Sequence, residues 1–118
     1  HDFDFQELEG EIPMDLLLKR TDPDIVAFEL DMYWITKAKA DPLQYIKNHP
    51  GRFPLWHIKD MAPSTKMADV GAGIIDFSAI FALNKMAGLE HFFAERDDPP
   101  DSLVTASNCF NAMLKLEY

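Results

Sequence analysis

Short apolar runs that end in ionisable residues recur along the chain, separated by turn-forming clusters and by stretches of helical period. His1–Phe5 alternates apolar and polar and predicts a short strand. Gly10 breaks this pattern, and Pro13, suited to a first helical turn, opens a helix over PMDLLLKR. A turn at Thr21, Asp22, Pro23 and Asp24 leads into IVAFELD, Ile25 to Asp31, a nearly continuous apolar run of the kind a strand buried on both faces shows. Asp41 and Pro42 read as N-cap and first residue of a helix over PLQYIKN, which Pro50 and Gly51 end. FPLWHIKD, Phe53 to Asp60, predicts the next strand, and a long loop separates it from a helix capped by Asp76 and stopped at Gly88. HFFAERD, His91 to Asp97, predicts the last strand. Asp101 or Ser102 then caps a helix whose apolar positions are Leu103, Ala106, Phe110, Met113 and Leu114.

Strand and helix in alternation, four times over, predict an α/β fold with a parallel sheet and crossover helices. The units are too dissimilar to count as a sequence repeat. In a strand, residues two apart share a face, which pairs Glu29 with Asp31 and His57 with Lys59.

Three successive runs, FELD, WHIKD and FAERD, carry ionisable residues at their C-terminal ends. In a (β/α) barrel those ends form the mouth where active sites lie, so Asp31, His57 and Glu95 are expected to converge there. Two carboxylates and an imidazole suit Mn²⁺, Fe²⁺, Zn²⁺ or Mg²⁺. Plainer roles compete: a strand-end Asp as a helix cap, His57 as a satisfied core residue, Lys59 and Asp60 as a weak surface ion pair. VGAGIIDF reads as a tight loop or as a phosphate cradle, and Tyr33 and Trp34 either wall a sugar pocket or pack beneath the loop.

Charge narrows the field. With 118 residues, 47% of them apolar, the chain can build a real core, and its net charge of −9 disfavours nucleic acid and anionic membranes. No apolar run approaches the ~20 residues of a membrane span. Cys109 is the single cysteine, so an internal disulfide is excluded; it sits in an apolar helical pattern and reads as core. No signal peptide is visible, and an opening inside a strand pattern suggests a domain cut from something longer. Cytoplasm and periplasm both stay open.

The segments HDFDF, TDPDIVAFELDMYW, DPLQYIKNHPGRFPLWHIKDM, VGAGIIDFSAIF and HFFAERDDPPD together resemble the xylose-isomerase-like sugar phosphate isomerase/epimerase family, whose members include inosose dehydratase and tagatose epimerase relatives. The resemblance covers nearly the whole chain. It implies a (β/α)8 TIM barrel of which residues 1–118 are the C-terminal half, strands five to eight. It implies a divalent metal held by Asp31, His57 and Glu95, with a fourth ligand outside the chain, and Glu95 doubling as acid/base. It further implies Lys59 as a pocket or catalytic lysine and His1 as a pocket or metal residue; Trp34 stands where tagatose-type epimerases place a substrate-contacting His. The implied reaction is isomerisation, epimerisation or dehydration of a keto-sugar or polyol through an enediolate. An endonuclease of the same superfamily would need a basic face and more than the four histidines present. A sugar-binding fragment without a complete metal site is the other alternative.

A closed barrel takes eight units and about 250 residues. Four units leave two sheet edges and one sheet face open, so a missing N-terminal half or a second copy is expected to cover them.

Overall fold

The computed structural model describes residues 1–116. Its centre is a three-stranded parallel sheet in the order β1 (Glu29–Asp31), β2 (Leu55–Ile58), β5 (His91–Ala94). Between β2 and β5 the chain makes a small antiparallel hairpin, β3 (Asp60–Met61) with β4 (Met67–Ala68). The helices are α1 (Pro13–Arg20), α2 (Met32–Lys37), α3 (Pro42–Asn48), α4 (Phe77–Phe81), α5 (Asn84–Ala87) and α6 (Ser102–Met113).

The helix starts follow their caps. Asp41 accepts the amides of Leu43 and Gln44 with Pro42 beginning α3, Asp76 accepts that of Ala79, and Asp101 accepts those of Leu103 and Val104. Gly88 ends α5 in the left-handed conformation. One face of the sheet, Leu30, Trp56 and Ile58, is sealed under Ile46, Phe77, Ile80 and Phe81, with the Trp56 and Phe81 rings 5.4 Å apart edge to face. At the N-terminal ends of the strands two turns lock together. The Gly51 amide donates to the carbonyl of Met86 and the Phe53 amide to that of Ala87, and a Cβ on Gly88 would lie 3.2 Å from the Cα of Gly51.

Three expectations are corrected. His1–Phe5 is not a strand: Asp2–Phe5 forms a 3-10 turn. Phe5 is buried against the Tyr45 ring while Phe3 is exposed, so only one of the two aromatics has a core to enter and no ladder partner enforces the alternation. The parallel sheet therefore has three strands rather than four. The run from Ile25 is mostly not strand either. The amides of Ile25 and Val26 bond back to the carbonyl of Asp22, the Val26 carbonyl accepts from the Arg52 guanidinium, and regular pairing begins at Glu29. On α6, Leu103, Phe110 and Leu114 are exposed; the buried stripe is Thr105, Cys109 and Met113, spaced by four. Cys109 is core as expected, its sulfur accepting the Val70 amide at 3.3 Å.

Candidate functional site

The register of the sheet builds the site. Asp31 on β1 lies opposite His57 on β2, and His57 lies opposite Phe93 on β5, which puts Glu95 one pleat beyond. These residues occupy the face turned away from the Trp56 core.

His57 is bracketed by carboxylates. Its Nε2 is 3.2 Å from Glu29 Oε1; its Nδ1 is 3.4 Å from Asp31 Oδ2 and 3.6 Å from Glu95 Oε2. The Nζ of Lys59 is 3.3 Å from Asp31 Oδ2, 3.1 Å from Glu95 Oε2 and 2.8 Å from Asp97 Oδ1. Burial works against charge on Lys59, yet hydrogen bonds to Asp97 and Glu95 and the charge of Asp31 outweigh it and hold the ammonium above the ordinary lysine range. The sequence-derived set Asp31, His57, Lys59 and Glu95 is thus brought together. Glu29 and Asp97 join it; the two-residue period from Asp31 and from Glu95 is the signal that marks them.

Asp31 divides its two oxygens, Oδ1 capping α2 through the Trp34 amide at 3.0 Å and Oδ2 facing the site. Trp34 lies beside Tyr33, with the Lys37 ammonium 4.5 Å above its ring. His1 has its ring contacts with Trp34, at 4.9 Å, and with Phe3. Tyr33, Trp34, Lys66, Met67, Arg96, Asp97 and Asp98 line a cleft of about 450 Å³ beside the Lys59–Asp97 pair.

Lys59 and Asp60 do not form a surface pair. Asp60 is 1% exposed, and its carboxylate accepts the backbone N–H groups of Met61 at 2.8 Å, Gly71 and Gly73 at 2.9 Å each, and Ile75 at 3.2 Å. The glycines of VGAGI are needed for this approach: Gly71 has φ +83°, and a Cβ on Gly73 would overlap the Asp60 carboxylate. Arg96, after β5, is held by Asp69 at 2.7 Å, and Asn108 donates to the same carboxylate.

Two carboxylates and an imidazole are the donor types that divalent cations take. With metal–ligand bonds of about 2.1 Å, neighbouring ligand atoms of a four-coordinate site lie about 3.4 Å apart, close to the spacings of His57 Nδ1 from Asp31 and Glu95. The Lys59 ammonium is a stand-in cation between those two carboxylates. Among the described residues, no group of three or more His, Cys, Asp or Glu side chains is arranged to hold a metal ion.

This architecture has solved counterparts. A sugar phosphate isomerase/epimerase from Parabacteroides distasonis superposes with a TM-score of 0.81 and 30% sequence identity over 98% of the chain. In sequence and fold the chain resembles the sugar phosphate isomerase/epimerases. A second such structure from the same organism gives a TM-score of 0.76 and 29% identity over 97% of the chain. The chain spans 43% and 41% of the length of these two sugar phosphate isomerase/epimerases. No protein-family profile and no curated protein sequence matches it significantly.

Proposed function

We propose that residues 1–118 are the C-terminal part of a (β/α)8 enzyme that isomerises, epimerises or dehydrates a keto-sugar or polyol through an enediolate. The observation that carries this reading is the meeting of Asp31, His57 and Glu95 from three adjacent parallel strands at their C-terminal ends. In this reading Asp31, His57 and Glu95 hold a divalent metal, which supplies Lewis-acid polarisation of a substrate carbonyl when bound.

The chain's own residues would do the rest. Glu95, less buried than Asp31, is the base that takes the proton from the carbon next to the carbonyl and returns it. Lys59, held as an ammonium, donates hydrogen bonds to the oxygen on which negative charge develops, and in a dehydration it faces the departing hydroxyl. Glu29 fixes the imidazole ring from its far side. Trp34, with His1 against it, walls the pocket where an apolar sugar face stacks. The substrate is a small sugar or polyol, and the remaining units of the barrel, or a second copy, cover the open sheet.

A second reading, a sugar-binding fragment without a working metal site, is favoured by Lys59 taking the cation position. Elemental analysis after dialysis separates the two. The enzyme reading expects about one Mn, Fe, Zn or Mg per chain, lost in His57→Ala. Full metal affinity in His57→Ala sinks the site assignment, and sugar binding that ignores metal favours the fragment.

A further inference from the structure

An ammonium has three N–H donors, and that of Lys59 faces three carboxylates: Asp97 Oδ1 at 2.8 Å, Glu95 Oε2 at 3.1 Å and Asp31 Oδ2 at 3.3 Å. Two of the three, Asp31 and Glu95, also flank His57 and belong to the metal set proposed above. Asp97 stands apart from them. It makes the shortest of the three contacts, and the ion pairs of His57 run to Glu29, Asp31 and Glu95. Lys59 is buried whereas Asp97 is exposed, and of the residues in this cluster Asp97 is the one that also lines the cleft with Tyr33 and Trp34. Arg96 lines the same cleft but pairs with Asp69.

A buried ammonium without a counter-charge is costly, and it repels a second cation beside it. If Asp31 and Glu95 turn to a divalent cation, Lys59 loses two of its three partners and keeps the third. Asp97 then has two effects. It pairs the charge of Lys59, and it draws the ammonium off the carboxylates that the metal takes. We infer that Asp97 is a positioning residue, which holds the Lys59 ammonium on the cleft side so that lysine and divalent cation occupy the site together, with two lysine N–H groups left for oxygens of a substrate in the cleft. The inference rests on the metal reading of the site and adds the residue that keeps Lys59 from blocking it.

Calorimetric titration of the chain with Mn²⁺ tests this through a double-mutant cycle. Asp97→Asn is expected to weaken Mn²⁺ binding about tenfold, because the ammonium settles on Asp31 and Glu95. In a Lys59→Met background the same substitution should change the affinity by less than about twofold, since no ammonium is left to hold. Asp97→Glu should restore most of the affinity. An Asp97→Asn chain that binds Mn²⁺ like the native one overturns the inference. So does an equal loss in both backgrounds, which would make Asp97 no more than a nearby negative charge. Should Lys59→Met fail to fold, Lys59→Gln closes the cycle. Nitrogen NMR of the lysine ammonium groups supplies a reading that needs no metal: the Lys59 signal should move in Asp97→Asn, and an unmoved signal overturns the inference. Failure of the enzyme reading looks different: the native chain takes up no Mn²⁺, and the Lys59 signal alone then decides whether Asp97 holds the ammonium.

Discussion

Asp31 and His57 are paired Cα to Cα across β1 and β2, and their side chains meet at 3.4 Å while the second Asp31 oxygen caps α2. The two roles of Asp31 separate by substitution. Asn caps as well as Asp, so Asp31→Asn should leave the melting temperature nearly unchanged yet weaken divalent metal binding by at least about a hundredfold. Asp31→Ala should lose the cap as well, a further cost of about 1 kcal/mol. Calorimetric metal titration and thermal unfolding read the two effects independently.

Lys59 carries a prediction of opposite sign. Its ammonium stands between Asp31 and Glu95, so it competes with any other cation there. Lys59→Met should bind divalent metal about tenfold more tightly, ~1.4 kcal/mol, while turnover falls. Metal affinity that drops in Lys59→Met would mean that the lysine holds the carboxylates in place and does not compete.

The outer support of the site is acid-sensitive. Hydrogen bonds from Asn108 and Arg96 hold the Asp69 carboxyl below its usual value of 3.8. Its folded pKa is depressed, so its contribution to stability is complete above the unfolded value. That contribution declines as pH falls through 3.8 and is gone below the folded value. Asp69→Asn should therefore cost stability in full at pH 7 and progressively less as pH falls from 5 to 2, so that the acid limb flattens in denaturant melts.

Two glycines required for different reasons, Gly10 by its backbone conformation and Gly73 by the close approach of Asp60, should differ in cost. Gly10 has φ +85° and open space around its missing Cβ, so Gly10→Ala should cost about 1 kcal/mol, the conformational term alone. Gly73→Ala drives a methyl into the Asp60 carboxylate and should cost about 2–4 kcal/mol, through overpacking and lost hydrogen bonds. Equal costs in urea unfolding would show that the loop yields without disturbing Asp60.

The caps at Asp41, Asp76 and Asp101, the stop at Gly88 and the strand around Trp56 were legible because each is a local rule written within a few residues. The convergence of Asp31, His57, Lys59 and Glu95 was legible because strand ends repeat one pattern. The first strand was misread because alternation at His1–Phe5 requires a neighbour to become a ladder. The stripe on α6 was misread because hydrophobicity alone selected Leu103, Phe110 and Leu114, whereas the helix turns Thr105 and Cys109 to the sheet. Asp60 was invisible as a buried anchor: its partners are backbone amides up to fifteen residues away, and amides have no letter in a sequence.

The clasp between the Gly51 and Gly88 turns sits at the strand ends opposite the carboxylate cluster, and it bears on how such a protein can change over time. Strand alignment is set at that lower end and in the core beneath Trp56, not in the hairpin and cleft residues above. The upper loop at Pro63–Lys66 is therefore free to diversify under selection for new ligands without renegotiating the fold, whereas the lower turns are bound to their glycines.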